Sequence, residues 1–484
     1  MLAEVSLRRG QVPICLALLL AVPACAVPRK GGFEDVSALV GDQAGRTIHW
    51  YQGTPEDEEA HSAVRALLAG ELSADAAVQV ALLNNRRLQV IYEDLGVAQA
   101  DLVQAGLLTN PVFMGSVRYP DRSSAGRNTE FGVAQSFLDI FMRPARKRLA
   151  EAGFEAEKMR VAAAVLDLAA ETQAACFRLQ GALQTTAMLR LSTEAAGAAH
   201  EFARRQRAAG NISDLEMFAR QSLLGHAQVE LARSEVAVVA DREALTRLMG
   251  LTGEDGVFIV PSSLQELPED DGPLHDLERQ ALDRRPELAA QRWEIEALAR
   301  ALKVTLRWRW VPLIDVGVST ERDPEGTRVT GPEVAIALPL FDRGQAGVAR
   351  IEALLRQSRQ RLVATAVDIS SEVREARSRL IAARELAGRY RSEIIPLNER
   401  LVAETQKFHN FMLAGVYQLL EARRDEIDAY RGYIEAVRDY WIARSDLERA
   451  VGGWPGAAMA TEPLIPSPSG SDPHEGAHLH HENQ

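Results

Sequence analysis

The sequence holds only three cysteines, Cys15, Cys25 and Cys176, and their spacing makes no disulfide framework. After the N-terminal segment no stretch carries eighteen consecutive apolar residues, so the pattern predicts no membrane-spanning helix. If such a chain crosses a bilayer, it must do so by β-strands. Basic residues are outnumbered: the formal net charge is −12, which leaves no electrostatic footprint for nucleic acid. Proline is missing from Ala145 to Arg207, where Leu149, Ala152, Ala156, Met159, Ala163, Leu166 and Ala170 recur at spacings of three and four. That run predicts a helix of roughly 60 residues, about 90 Å long, which no compact globular domain needs.

What is present begins with an export signal. Arg8 and Arg9 precede an apolar run from Val12 to Val22, too short to span a bilayer and suited to a secretory h-region. Residues 1–24 read as a signal peptide. Leu20-Ala21-Val22-Pro23-Ala24-Cys25 is similar to a lipobox, which would leave Cys25 as the lipid-modified first residue; Ala24-Cys25-Ala26 also reads as an ordinary A-x-A cleavage site. Both readings export the protein. Cys176 lies alone in an alanine-rich helical pattern, where a small buried hydrophobe is its expected role.

The mature chain is a duplication of two halves, each of about 200 residues. Ala81-Leu82 with Leu88 matches Ala281-Leu282 with Leu288, and Glu171, Ala175 and Leu179 match Glu372, Ala376 and Leu380. The reversal Ala209-Gly210-Asn211-Ile212 aligns with Ala414-Gly415-Val416-Tyr417, and the halves stop near Gly250 and Gly452. Each half reads helix, strand pair, very long helix, sharp reversal, return helix. The second long helix, Ala346 to Leu413, is marked by Pro396, a point of kinking or local unwinding. The resulting division is an N-terminal segment 25–71, a first repeat 72–250, an inter-repeat segment 251–272, a second repeat 273–453 and a Pro/Gly/Ser- and His-rich tail 454–484.

Before each long helix lie two strand candidates: Val112 to Tyr119 and Glu130 to Leu138, then Leu313 to Thr320 and Glu333 to Pro339. Ile314, Val316 and Val318 alternate with Asp315, Gly317 and Ser319. Alternation over about 9 to 11 residues suits a membrane β-barrel with an apolar outer face, and soluble hairpins alternate as well. Four strands cannot close a barrel, and open edges cannot sit in lipid, so a membrane reading requires several copies of the chain.

Over about residues 72–453 the chain resembles the TolC-like outer-membrane efflux protein family. The residues that carry the resemblance are Leu72-Ser73 with Ala76, Ala81 and Asn84-Asn85; Gln104-Ala105-Gly106-Leu107-Leu108 with Asn110-Pro111; Ala209-Gly210-Asn211-Ile212-Ser213-Asp214-Leu215; Leu248-Met249-Gly250; and Leu338-Pro339-Leu340-Phe341-Asp342-Arg343-Gly344. Phe137-Leu138-Asp139-Ile140-Phe141 departs from the family's Leu-Pro-Leu-Phe exit in the first repeat. The resemblance implies a mainly α fold with a small β part: a homotrimer with a twelve-stranded outer-membrane β-barrel, a twelve-helix periplasmic tunnel and an equatorial belt. It further implies tips at Gly210, Asn211, Ile212 and Ser213, and at Gly415, Val416 and Tyr417. These would gate the duct and meet a periplasmic adaptor coupled to an inner-membrane pump. Outer-membrane lipid is an expected partner, nucleic acid is not, and no cofactor is expected.

Rival chemistry is thin. His474-Glu475-Gly476-Ala477-His478 fits H-E-x-x-H, but it follows a Pro/Ser/Gly stretch, contains a glycine and has no wall to exclude water, so a metalloprotease is not expected. His200-Glu201-Phe202-Ala203-Arg204 lacks a second ligand and reads as a solvated helix face. A periplasmic adaptor would carry one helical hairpin among β-rich domains, whereas this chain has two hairpins and few strands. Arg307-Trp308-Arg309-Trp310 suits an interfacial aromatic belt with snorkelling arginines, or ordinary packing at a helix-to-strand junction. Cargo is read from the tail: His474, His478, His480 and His481 lie among the last eleven residues, a density that binds copper, zinc, nickel or cobalt. Heavy-metal cations are therefore the favoured cargo, with drug or protein export as the alternative. Metal-exporting members of the family are similar to this chain in their short loops and lipobox-like start.

Overall fold

The computed structural model describes residues 27–119, 121, 126–311 and 313–453. Cys25 and the tail histidines His474, His478, His480 and His481 lie outside them. After α1 (Phe33–Ala44) and α2 (Pro55–Leu68), the duplication appears as two matching runs of elements. The first is α3 (Ala74–Asn84), α4 (Arg86–Gly106), β1 (Val112–Arg118), β2 (Asn128–Ser136), α5 (Phe137–Ala208) and α6 (Asp214–Met249). The second is α7 (Leu277–Arg284), α8 (Pro286–Trp308), β3 (Leu313–Arg322), β4 (Arg328–Ala337), α9 (Gln345–Arg389), a π-turn (Tyr390–Ile394), α10 (Ile395–Asn410) and α11 (Val416–Val451). Among the described residues no helix is long and apolar enough to cross a membrane.

The long helices follow from the absence of breakers, with two informative exceptions. Helix α5 starts at Phe137, directly from β2, and runs through Pro144 rather than beginning after it. A proline near a helix start forfeits one backbone bond. Here the first turns are secured by Asp139, which accepts from the Thr109 amide at 2.9 Å and pairs with Arg146 at 2.6 Å. At Pro396, which has no N–H to donate, the second long helix widens into the π-turn: the Ile395 amide bonds to the Tyr390 carbonyl, one residue farther back than in an α-helix.

The chain divides into two compact units, each drawn from both repeats. The first gathers the segment ending at Val36, Val90–Ala164 and Arg285–Asp368. It contains a four-stranded antiparallel sheet in the order β1-β2-β3-β4. The register is continuous: Val133 lies between Phe113 and Val318, and Val318 faces Pro332.

The second unit gathers Ser37–Gln89, Val165–Arg284 and the segment from Ile369. Its core joins Leu72, Val80, Ala81, Ala175, Cys176, Leu179, Leu245, Met249 and Phe258. Burial raises the Cys176 thiol to about 12, so it behaves as an inert small hydrophobe. Asn84 and Asn85 close the first repeat on itself, donating their carboxamides to the carbonyls of Met249, Gly250 and Leu248 at 2.7–3.0 Å. Gly250 is needed at that closure because its φ is +67° and a Cβ would stand 2.6 Å from the Asn84 carbonyl oxygen. The inter-repeat segment is held to several helices. Leu264 N–H donates to Gln184, Trp441 Nε1 donates to the Gln265 carbonyl, and Asp271 pairs with Arg384 at 2.7 Å.

Candidate functional site: the strand faces and the helix reversals

Residues directly opposite in an antiparallel sheet share a face, so the register sorts the side chains without ambiguity. One face carries Phe113, Val117, Phe131, Val133, Ile314, Val316, Val318, Pro332, Val334 and Ile336. The other carries Ser116, Gly132, Ala134, Gly317, Ser319, Gly331 and Ala335 together with four carboxylates, Glu130, Asp315, Glu321 and Glu333. Arg118 reaches Glu130 at 3.2 Å, and Asn128 donates to Glu321 at 2.6 Å. The sheet is thus mainly apolar on one side, ending toward the hairpin turns in Thr320, Thr330, Arg322 and Arg328, and on the other side acidic among mostly small residues, with Val112, Met114 and Val329 as larger apolar ones. Reading alternation strand by strand gives the apolar face; the gathering of acids from three strands needs the register.

At the helix-to-strand junction Trp308 lies 6.5 Å from Phe141, while Trp310 is exposed, with the guanidiniums of Arg309 and Arg343 at 5.1 and 5.8 Å from its ring. The two tryptophans divide the alternatives: Trp308 has an aromatic neighbour in the junction, and Trp310 has the exposure and cations of an interfacial residue.

At the first reversal Gly210 has φ +78° and donates to the Arg207 carbonyl, and Asn211 donates to Gln206, both at 2.9 Å. This is a Schellman closure, which places a left-handed residue just past the helix end. Ser213 then opens α6 with a capping box: its Oγ accepts from the Glu216 amide, and Glu216 accepts from the Ser213 amide at 2.9 Å. Arg207 and Asp214 pair across the turn at 2.5 Å. Ile212 sits between closure and cap, half-buried.

The second reversal corrects the sequence alignment. Gly415 is not the left-handed residue; its φ is −73° and ψ 156°, and it is the N-cap of α11, donating to Gln418 Oε1 at 3.1 Å. Val416 and Tyr417 are already in the helix. The left-handed position belongs to Met412, φ +59°, which donates to the His409 carbonyl at 2.9 Å while Leu413 donates to Phe408 at 2.8 Å. Gly210 therefore corresponds to Met412 and Ser213 to Gly415, three residues out of step with the glycine-to-glycine match. A glycine three residues before Gln418 was the available signal for a helix start; nothing in composition marks Met412. Across the two reversals the Arg220 guanidinium lies 3.7 Å from the centroid of the Tyr417 ring.

The His200-Glu201 motif resolves as a structural helix face. Glu201 pairs with Arg204 at 2.8 Å and Arg205 at 2.9 Å, and hydrogen bonding to Arg204 is the leading cause of a pKa lowered to about 2, useless for a general base. Among the described residues no group of three or more His, Cys, Asp or Glu side chains is placed to hold a metal.

Residues 77–251 match the model of the outer membrane efflux protein family. The cobalt-zinc-cadmium resistance protein CzcC of Cupriavidus metallidurans is 25% identical over 394 residues, covering 79% of this chain and 91% of CzcC. The Campylobacter jejuni CmeC outer membrane channel superposes with a TM-score of 0.69 at 17% identity, over 78% of this chain and 85% of CmeC. CusC, solved in work on its folding and transmembrane channel formation, gives 0.66 at 15% identity, over 85% of this chain and 96% of CusC. At such identities the structural likeness speaks for the fold, which is that of the TolC-like channels. The family is one of efflux ducts and not of enzymes. Its two helical hairpins and its four described strands thus give this chain the TolC-like channel fold, and its first repeat, over residues 77–251, is similar to the outer membrane efflux protein family.

Proposed function

We propose that three copies of this chain form the exit duct of a tripartite efflux system and that its cargo is heavy-metal cations. The observation that carries the cation reading is the acidic strand face, with Glu130, Asp315, Glu321 and Glu333 among small residues. In a closed barrel the apolar face meets lipid and this face lines the lumen, where carboxylates attract cations and repel anions. The free edges of β1 and β4, which lipid does not tolerate, call for more than one chain, and three chains supply the twelve strands of this reading. Similarity to a cobalt-zinc-cadmium resistance protein points the same way.

The same reading assigns adaptor contact and gating to Gly210–Ser213 and Gly415–Tyr417, extended to the exposed Phe411, Met412 and Leu413. It keeps Cys25 as a lipid anchor and His474, His478, His480 and His481 as a metal-collecting tail outside the duct. An inner-membrane pump and a periplasmic adaptor complete the assembly.

The test is electrical and then cellular. In a planar bilayer under a salt gradient the purified protein is expected to give a cation-selective reversal potential, and the quadruple variant E130Q/D315N/E321Q/E333Q to lose most of it at similar open time. Anion selectivity in the parent would sink the cation reading. Loss of the gene without any change in zinc, cobalt or cadmium tolerance would remove the metals and leave drug or protein export as the alternative.

A further inference from the structure

The apolar strand face ends, on the side of the hairpin turns, in a group of cations with no ion-pair partner among the described residues. Arg322 of β3 and Arg328 of β4 are direct cross-strand partners, in the same row as Thr129 and Val117. Counting back by twos from Val318 and Thr320, and forward to Thr330 and Pro332, puts both on the apolar side and not on the side of the acids. Both are exposed. Arg127, just before β2, extends the group, its guanidinium 5.6 Å from the ring of the exposed Tyr119. The Gly126 amide donates to the Pro324 carbonyl at 3.2 Å, tying the segment before β2 to the β3–β4 turn.

Two like charges directly opposite on a sheet repel, and an isolated pair is destabilising. Elsewhere on this sheet cations are neutralised, as Arg118 is by Glu130. Among the described residues no carboxylate oxygen lies within 4.0 Å of Arg127, Arg322 or Arg328. Two guanidinium forks on adjacent strands, with side chains rooted about 5 Å apart, match the oxygens of one tetrahedral phosphate, which arginine binds bidentately. The next row on this face holds Phe131 with Thr320 and Thr330, and the row beyond it Val133, Val318 and Pro332, which would lie against acyl chains while the long arginine stems carry the charge up to the headgroups.

We infer that Arg322 and Arg328, assisted by Arg127, form a binding site for the phosphate groups of an anionic glycolipid in the membrane leaflet at the turn end of the barrel. The inference rests on the outer-membrane duct reading, which puts the apolar face in lipid. It adds a lipid-specific contact on the outside of the barrel, separate from the acids that line the path. Neutralisation by lipid phosphate accounts for an arginine pair that has no carboxylate partner among the described residues.

The full-length protein in dodecyl maltoside would be titrated with bisphosphorylated lipid A and followed by native mass spectrometry, with dephosphorylated lipid A and inorganic phosphate as comparison arms. The expected result is saturable binding of the phosphorylated lipid, weakened at least tenfold by removing its phosphates and at least tenfold in R322Q/R328Q. R328Q alone should fall between, and R309Q/R343Q, at the opposite end of the sheet, should bind within twofold of the parent. Equal binding by R322Q/R328Q, equal binding of the dephosphorylated lipid, competition by inorganic phosphate at the lipid's own concentration, or loss of binding in R309Q/R343Q would each overturn the assignment. Planar-bilayer conductance of the same preparations separates this failure from a larger one. A conducting protein that ignores lipid phosphate loses only this site, whereas a parent that never conducts loses the duct.

Discussion

The two helix reversals solve one geometric problem with different chemistry. The first uses glycine for the left-handed turn, a serine–glutamate capping box and an Arg207–Asp214 pair across the loop. The second puts Met412 in the left-handed turn, a glycine at the N-cap and a neutral Gln418 in the box, and presents Phe411, Met412 and Leu413 at 72–95% exposure. Backbone strain is thus confined to the second reversal, whereas exposed apolar side chains occur at both: Phe411, Met412 and Leu413 in the second turn itself, and Leu215 and Phe218 just past the first. A duplicated chain that keeps one turn relaxed by glycine and closed by an ion pair, and leaves the other strained with apolar residues at its apex, has made the two reversals chemically different. The second is the one suited to a partner's apolar surface or to a change of shape.

The sharpest way to break this comparison is to exchange the glycine roles. Gly210→Val puts a β-branched residue at φ +78° and is expected to destabilise the first reversal by about 1–2 kcal/mol. Gly415→Val, at an ordinary extended φ, should cost less than about 1 kcal/mol through poorer capping. Hydrogen exchange of the amides from 210 to 216 and from 412 to 418 reads both; equal losses would mean that the assigned backbone conformations are wrong.

A smaller effect is expected from Met412→Gly, which relieves the left-handed strain and gives part of it back in chain entropy, for a net gain of about 0.5 kcal/mol in local stability. Slower exchange of the Leu413 amide, together with weaker adaptor binding through loss of the exposed thioether, would support a strained contact residue. Slower exchange with adaptor binding unchanged would confine Met412 to the turn.

The smallest difference is in pH response. Glu216 is held below the usual carboxylate range chiefly by the Ser213 amide, and Asp214 chiefly by its hydrogen bond to Arg207. Both folded pKa values are depressed, so their contribution is present above the ordinary carboxylate pKa and is lost as pH falls through the folded values. Acidification from pH 5 to pH 3 should therefore raise exchange at Ser213–Glu216 relative to its intrinsic rate. The Gln418 box does not titrate, and the Gly415 amide should keep its protection; parallel losses at the two would end the contrast.

Most of the architecture was legible because it is written in periodicity. Alternating Ile314, Val316 and Val318 suits a strand, and proline-free stripes of alanine suit a helix, so β1 and β3 fell close to their observed bounds, while β4 begins at Arg328, five residues before the expected Glu333. The start of α5 was less legible because Pro144 looks like a boundary, and only the Asp139 contacts to Thr109 and Arg146 show why the helix begins earlier. The second reversal was misaligned because sequence matching pairs glycine with glycine, while backbone geometry pairs Gly210 with Met412. The acidic face was half legible: each acid alternates visibly within its strand, but the partnership of Glu130 with Glu321 and of Gly317 with Glu333 is a property of register.

The π-turn before Pro396 has a consequence for how the second long helix keeps time. Buried residues along α9 fall at Ile369, Val373, Ala376, Leu380, Ala383 and Ala387, a beat of four and three. Continued unbroken, that beat would next fall at positions 390, 394, 397 and 401. Instead Ile395 and Val402 are buried, while Leu397 and Leu401 are 66% and 47% exposed. The helix has taken in one surplus residue, a phase slip of about 100° in sequence, and the widened turn absorbs it so that the inward azimuth is the same above and below. The displaced leucines are the residue of that slip: written in the rhythm of a core, they are delivered to the outside, on a helix whose counterpart in the first repeat runs without any such dislocation.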